Sequence, residues 1–187
     1  MSYELSPDKF LSDAELAELN RVLAKYASPR DRLLIETALA CGMRACEVLA
    51  VHAKHLDPEN KTLTIQGRKR GRKGVVALKA KDGTELAFHK QLGIEGLFER
   101  LAAACNEAPN GKPFDISMTR LVQIWDSLRP NKFKGFHTLR HTFALKLLKK
   151  CKNVKMVQTG LRHKALSSTM VYTDYVESTE GLQGAME

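Results

Sequence analysis

Two short β-branched runs, "TLTI" (62–65) and "VVAL" (75–78), interrupt a chain whose other apolar residues recur mostly with a helical period. The segment between them includes "GRKRGRKG" (67–74), which places five cations in eight residues. Two such runs on either side of a glycine-containing turn predict the antiparallel strands of a hairpin. The sequence therefore predicts a mainly α fold with one small antiparallel β-hairpin or sheet, of the α+β class, whose hairpin has a cationic tip.

Helix-start and helix-stop signals divide the rest of the chain into helices. "SDAE" (12–15) has the Ser-x-x-Glu form of a capping box, and the helix that it starts is expected to end near Ala27. Ser28 followed by Pro29 starts a second helix, and Gly42 is placed to stop it. Further helices are predicted from about Arg44 and over 94–105, 118–129, 138–150, 153–159 and 167–176, with turns at 57–60 and 82–83. With no internal repeat and no dividing linker, residues 1–187 are expected to form a single domain.

Length and composition limit the class of protein. The chain has 187 residues, of which 43% are apolar, and it contains no apolar run of about 18 residues, so a globular domain without a membrane span is expected. The first thirty residues carry charges of both signs and lack the apolar segment of a secretory signal, which favours the cytoplasm. The cysteines show no paired CxxC spacing and are expected to be reduced and packed: Cys41, Cys46, Cys105 and Cys151.

The charge balance indicates a partner made of phosphates. Thirty Lys and Arg residues against twenty-one Asp and Glu residues give a net charge of +9. The hairpin tip concentrates this charge and supplies the candidate nucleic-acid-binding residues Arg68, Arg70, Arg72 and Lys73. Binding through these groups is expected to weaken steeply as salt rises. A solvated turn without a ligand is the alternative interpretation of the same run.

The stretch "FHTLRHTF" (136–143) contains a second group of side chains that could bind a ligand or take part in catalysis. His137 and Arg140 are three residues apart, so on a helix they project from one face. His141 is four residues after His137, which raises the possibility of a zinc site. The zinc-protease pattern requires Glu directly after the first histidine, and Thr138 stands there. No metal site is therefore predicted, and a helix-capping histidine beside a surface arginine remains an alternative for this motif alone.

Four features occur together in an order and spacing that resemble the tyrosine recombinases, or phage integrase family. They are "GMRACEVL" (42–49), the cationic hairpin, "HTLRHTF" (137–143) and "GLRHKALSSTMVYTDY" (160–175), and the resemblance covers roughly residues 10–176. It implies the fold of that family's catalytic domain. The catalytic residues that it implies are Arg44, Lys69, His137, Arg140, His163 and Tyr172. Lys73 is the alternative to Lys69, and Tyr175 is a rival to Tyr172, which the spacing of nine residues from His163 favours.

The resemblance also implies the reaction. It is a site-specific cleavage and rejoining of DNA strands through a 3′-phosphotyrosine bond, with no metal ion, cofactor or ATP. Arg44 and Arg140 would clamp the phosphate oxygens, because guanidinium is always charged and matches their geometry. His137 would accept the proton of the nucleophile, His163 would bind the phosphate, and Lys69 would protonate the leaving 5′-oxygen.

The implied partners are double-stranded DNA, further copies of the chain in a tetramer on paired sites, and accessory DNA-bending proteins. Two other functions remain open. One is relaxation of supercoils by a monomer, as in type IB topoisomerases, and the other is a non-catalytic DNA-binding regulator. The complete set of catalytic residue types argues against the regulator, because a binding module has no use for Tyr172.

The chain departs from the family pattern in two places. Arg162 precedes His163 where the family usually has glycine, which eases a left-handed turn. The family's usual amino-terminal DNA-clamping domain has no counterpart, so the sequence is expected to be either a single-domain member or a fragment that begins at the catalytic domain.

Residues near the motifs have structural interpretations. Glu47 is expected to hold Arg44 in place, and His141 is expected to pack within its helix. Tyr175 is expected to pack or to bind backbone. His52, His55 and His89 lie outside every motif and are expected at the surface or in turns.

Overall fold

The computed structural model describes residues 5–67 and 73–186, and side chains as far as residue 178. The predictions for Arg68, Lys69, Arg70 and Arg72 fall outside the described residues.

The first two helices begin at the predicted caps. Helix α1 spans Asp13–Tyr26, and its capping box has the Glu15 N–H donating to Ser12 Oγ at 3.2 Å and the Ser12 N–H donating to Glu15 Oε2 at 2.9 Å. Helix α2 spans Pro29–Ala40, and Ser28 Oγ accepts from the Asp31 N–H at 3.1 Å. These bonds satisfy backbone donors that a helix start leaves unpaired, which is why the local sequence fixes both starts.

The remaining helices follow the predicted order with two differences. Their bounds are α3 Ala45–Val48, α4 Ala87–Gln91, α5 Leu97–Glu107, α6 Met118–Leu128, α7 Thr138–Cys151, α8 Val154–Leu161 and α9 Ser167–Met186. Helix α4 was not predicted, because five residues are too few to show a helical period. Helix α9 continues to Met186 and does not end near residue 176.

The predicted hairpin is part of a three-stranded antiparallel sheet. Strands β1 (Leu56–Asp57), β2 (Thr62–Ile65) and β3 (Gly74–Ala77) lie in that order, with Leu63 opposite Val76 in the hairpin. Strand β1 was not predicted, since two residues give no alternating pattern. At the predicted turn, Asp57 Oδ1 accepts from the Glu59 and Asn60 N–H groups, both at 3.0 Å.

Helices α2 and α7 form the centre of the molecule. Every residue of 33–40 and of 138–145 is buried. Helix α2 packs against α5 and α7, and α7 packs in turn against α8 and α9. This arrangement brings the end of α2, the start of α7 and the turn between α8 and α9 to one place. A helix buried on all sides is normally apolar. Arg140 and His141 of α7 are polar and yet buried, which indicates a candidate functional site where these elements meet.

The structure also places His89 and the four cysteines. His89 is buried, 1% exposed, so its predicted surface position was wrong; the reason is that it lies on the unpredicted α4. The four cysteines, all within the described residues, are free thiols; Cys41 and Cys105 are buried and the other two are half-buried. Burial raises the pKa of the Cys41 thiol to about 12. In the part of the chain that the structure describes, no helix is long and apolar enough to cross a membrane.

Candidate active site

Glu47, near the start of α3, lies among three arginines. Its Oε1 accepts from Arg44 Nη1 at 2.8 Å, and its Oε2 accepts from Arg162 Nη2 at 2.9 Å. Arg140 Nη1 lies 3.6 Å from Oε2. The Arg44 N–H also donates to Oε2 at 2.9 Å. We call this group the Glu47 cluster; its positive charges outnumber its negative charge, so it is suited to receiving an anion.

The carboxylate of Glu47 stays ionised although the residue is only 4% exposed. Burial by itself raises its pKa, but the hydrogen bond from the Arg44 N–H and the charges of Arg162 and Arg140 outweigh burial. The pKa of Glu47 is therefore below its ordinary value. The predicted support of Arg44 by Glu47 is present in the structure, and the same carboxylate also serves two further arginines.

Arg140 is held by backbone as well as by charge. Its side chain is 1% exposed, Nη1 donates to the Gly42 carbonyl at 2.6 Å, and Nη2 donates to the Leu161 carbonyl. Burial, together with the neighbouring charges of Arg44 and Arg162, lowers the pKa of Arg140 to about 9, so it is protonated at neutral pH. Arg44 differs from it, because 42% of its side chain is exposed and free to reach a ligand.

The close approach of α2 and α7 depends on Gly42. Its φ of +56° lies in the left-handed region, and a Cβ there would lie 2.4 Å from Cδ1 of the Phe143 ring. Glycine therefore lets the chain turn out of α2 directly against α7 and presents its carbonyl to Arg140.

Tyr172, on α9, contacts a histidine of α7. The Tyr172 hydroxyl lies 2.9 Å from His141 Nδ1, and the two ring centroids are 5.7 Å apart. Burial, followed by the charges of His137 and Arg140, lowers the pKa of His141 to about 4, so its ring is neutral at pH 7. A neutral ring with an unprotonated Nδ1 accepts the phenol hydrogen. Tyr172 is only 2% exposed and packs among apolar residues of α7 and α8.

His137 and His163 complete the surroundings of Tyr172. His137 is exposed just before α7, and its ring centroid lies 4.8 Å from that of His141, edge to face. His163 is half-buried, and its Nδ1 lies 2.9 Å from Oγ1 of the fully buried Thr169. Burial and the charges of Arg140 and Arg44 lower the pKa of both histidines, that of His163 to about 4. The two arginines thus act electrostatically on both histidines.

A surface cleft of about 520 Å³ lies beside Tyr172. Among the residues that line it are His137, His141, His163 and Tyr172. The structure therefore brings together five of the six catalytic residues that the resemblance implied, in two adjoining groups linked by α7. The sixth, Lys69, lies outside the described residues, and its alternative Lys73 is exposed just before β3. Tyr175 packs its ring against Phe10, with centroids 5.1 Å apart.

Two residues of the site were not assigned to it from sequence. His141 was assigned to helix packing, because its partner Tyr172 is 31 residues further along the chain and on another helix. Arg162 stands where the family usually has glycine, and this difference is the signal in the sequence that points to it. Its buried contact with Glu47 spans 115 residues.

Comparison with known proteins shows the family and the fold to which this chain is similar. The sequence pattern of the phage integrase family matches residues 9–178 of this chain. Tyrosine recombinase XerA of Saccharolobus solfataricus is 30% identical over 167 residues, which are 85% of this chain and 50% of that protein. Tyrosine recombinase XerH of Campylobacter jejuni is 30% identical over 173 residues, which are 89% of this chain and 46% of that protein. The chain thus spans about half the length of the curated relatives it matches.

Solved structures show the same fold. XerH site-specific recombinase bound to difH substrate superposes with a TM-score of 0.67 at 28% identity, over 91% of this chain and 51% of that one. The catalytic domain of bacteriophage HP1 integrase superposes with a TM-score of 0.62 at 19% identity, over 89% of this chain and 87% of that one. The predicted mainly α fold with a small antiparallel sheet is therefore confirmed as that of a tyrosine recombinase catalytic domain. By family model and by fold, the chain belongs to the phage integrase family.

Proposed function

We propose that the chain is the catalytic domain of a site-specific DNA recombinase that cuts and rejoins strands through a 3′-phosphotyrosine bond. The observation that carries the proposal is the position of the Tyr172 hydroxyl, 2.9 Å from His141 in a cleft that His137 and His163 also line. Family membership supports it, as do the DNA-bound XerH structure and the net charge of +9.

The first step is attack of Tyr172 Oη on the phosphorus of a phosphodiester. A bond forms between the phenol oxygen and phosphorus, and the bond to the 5′-oxygen breaks. His137, which is exposed and lines the cleft, accepts the phenol proton, while Lys69, or Lys73 in its place, gives a proton to the 5′-oxygen. Attack of a 5′-hydroxyl on the phosphotyrosine reverses these events, so the strand is resealed with no ATP, and no step calls for a metal ion.

Negative charge on the non-bridging oxygens rises as five bonds form around phosphorus. Arg44 and Arg140 stabilise that charge, and loss of a comparable donor slows other enzymes by at least about a hundredfold. His163 adds a hydrogen bond. If Thr169 donates its hydroxyl hydrogen to Nδ1 of the neutral His163 ring, the single ring proton is on Nε2 and is available to a phosphate oxygen.

The burial of Tyr172 implies a conformational step before attack. With 2% of the residue exposed and its hydroxyl bonded to His141, the phenol cannot reach a phosphate from this position. Binding of duplex DNA is therefore coupled to a movement of α9 that releases the ring. In recombination the reacting assembly is a tetramer on two paired sites.

The test is covalent trapping. The protein is incubated in EDTA with sheared genomic DNA of the organism that encodes it, denatured in detergent, and the adducted peptide is identified by mass spectrometry. Wild type is expected to form an adduct on Tyr172. Tyr172→Phe is expected to bind DNA with unchanged affinity and to form none, because it lacks the attacking oxygen. Tyr175→Phe is the matched control and is expected to retain the adduct.

Other outcomes identify the alternatives. An adduct on Tyr175, or an adduct at normal yield in Tyr172→Phe, contradicts the assignment of the nucleophile. Tight, salt-sensitive binding without any adduct indicates a non-catalytic regulator. Relaxation of a supercoiled plasmid at arbitrary sites by a monomer indicates type IB topoisomerase activity.

A further inference from the structure

Arg162 has an unfavourable backbone conformation for its residue type. It ends α8 with φ 58° and ψ 32°, in the left-handed region. For a residue with a Cβ that conformation is unfavourable, and glycine avoids the cost. Its side chain, 2% exposed, also carries a charge into the interior. Both costs require compensation by contacts of the side chain.

Those contacts converge on the Glu47 cluster. Arg162 Nη2 donates to the Gly42 carbonyl at 3.0 Å as well as to Glu47 Oε2 at 2.9 Å. Its Nη1 donates to the Cys41 carbonyl at 3.3 Å and to the Gly160 carbonyl. The residue directly before His163 is thereby bonded to the end of α2 and to α3.

The same side chain reaches the base of the cationic hairpin. A Cβ added to Gly74, the first residue of β3, would lie 2.8 Å from both Cγ and Cδ of Arg162. The methylene stem therefore packs on the backbone of the strand that follows the cationic segment, while the guanidinium binds the Glu47 cluster.

Arg162 and Arg140 both lie close to one carboxylate oxygen, Glu47 Oε2. Arg162 occupies Oε2 at 2.9 Å, whereas Arg140 Nη1 lies 3.6 Å from it and 2.6 Å from the Gly42 carbonyl. Without Arg162, Oε2 loses this guanidinium and keeps the bond from the Arg44 N–H at 2.9 Å, and Arg140 Nη1 is close enough at 3.6 Å to move towards it. A shift of Arg140 onto Glu47 would draw it off the Gly42 carbonyl and change where its charge acts.

We propose that Arg162 is a positioning residue: it satisfies Glu47, holds Arg44 and Arg140 in their orientations, and fixes the base of the hairpin against them. It is buried and does not touch DNA. The inference rests on the proposed function, since it concerns the rate of the same cleavage step.

The test compares Arg162→Gly with Lys152→Gly. Lys152 ends α7 with φ 48° and is exposed, so its replacement relieves the same backbone strain and removes the same charge away from the Glu47 cluster. On DNA recovered by covalent trapping, single-turnover adduct formation at saturating DNA, Kd and the thermal midpoint are measured. Arg162→Gly is expected to slow adduct formation by about tenfold to a hundredfold, because small misplacements of catalytic groups have effects of that size. Its Kd is expected to stay within about threefold, because the buried Arg162 side chain makes no contact of its own with DNA. The rate of adduct formation by Lys152→Gly is also expected to stay within about threefold, because Lys152 lies away from the Glu47 cluster.

Two further variants keep the test decisive. Arg162→Asn, which also tolerates the left-handed conformation, takes the place of Arg162→Gly if that variant unfolds early. In a Glu47→Gln background, Arg162→Gly is expected to have an effect of less than about threefold, because the carboxylate is the link. A wild-type rate of adduct formation in both Arg162 variants overturns the inference and leaves the proposed function intact. Equal slowing by Arg162→Gly and Lys152→Gly also overturns the inference and leaves the proposed function intact. Absence of an adduct from wild type and every variant overturns the proposed function itself.

Discussion

Substitution of Gly42 by alanine tests how the end of α2 supports the site. The left-handed φ of +56° costs a residue with a Cβ about 1 to 2 kcal/mol. The new methyl group would also lie 2.4 Å from the Phe143 ring, which is 5% exposed and packed edge to face on Phe88, with centroids 5.4 Å apart. Overpacking of this kind costs about 1 to 3 kcal/mol. The expected loss for Gly42→Ala is therefore about 2 to 5 kcal/mol in the free energy of unfolding.

Gly83→Ala is the matched control. Gly83 has φ +80° in an exposed turn, and a Cβ there would meet no atom within 4 Å, so only the backbone cost of about 1 to 2 kcal/mol applies. Urea unfolding followed by the fluorescence of the buried Trp125, the single tryptophan of the chain, gives both values. Equal destabilisation by the two variants would refute the argument from close packing.

Gly42→Ala is also expected to slow adduct formation at the candidate active site. The Gly42 carbonyl accepts from Arg140 at 2.6 Å and from Arg162 at 3.0 Å, so a displaced backbone moves both acceptors at once. Adduct formation by folded Gly42→Ala should be slower than by folded Gly83→Ala. Equal rates would mean that the carbonyl does not set the position of Arg140.

Two further predictions concern pH and salt. Because the pKa of His141 is about 4 in the folded chain and about 6.5 when free, the unfolded chain binds its proton more readily. The contribution of His141 to stability is therefore complete above pH 6.5 and falls by up to about 3 kcal/mol towards pH 4. His141→Asn, which keeps an acceptor for Tyr172, should reduce the dependence of the free energy of unfolding on pH between these values and leave the part that comes from His163, whose pKa is also lowered to about 4. An unchanged slope would contradict this. Replacing Arg70 and Arg72 together with alanine should reduce the slope of log K for DNA against log salt by about two, as expected for two lost phosphate contacts. An unchanged salt slope would remove the cationic tip from the DNA interface.

Much of the fold could be predicted because its signals are local. The capping box at Ser12, the Ser28–Pro29 start and the two hairpin strands each depend on residues within about four positions or on one alternating run. Strand β1 and helix α4 escaped prediction because two and five residues carry no period. His89 was misassigned for the same reason, since its burial follows from the packing of that unpredicted helix.

The candidate catalytic residues could likewise be selected from sequence, because they stand in short motifs of fixed spacing: Arg44, His137, Arg140, His163 and Tyr172. Their partners could not. The hydrogen bond between Tyr172 and His141, and the ion pair between Arg162 and Glu47, join residues 31 and 115 positions apart.

The sequence by itself determined which side chains this protein has for the proposed phosphate chemistry and where most of its helices begin. Only the tertiary structure decided that Tyr172 is buried against His141 and that one carboxylate lies among three arginines. The physical reason is that capping and periodicity act over a few residues of backbone, whereas burial of a charge or a phenol depends on which helices meet. Here that meeting is set by the turn at Gly42, which brings α2 against α7, and by the left-handed turn at Arg162, which directs its side chain to Glu47.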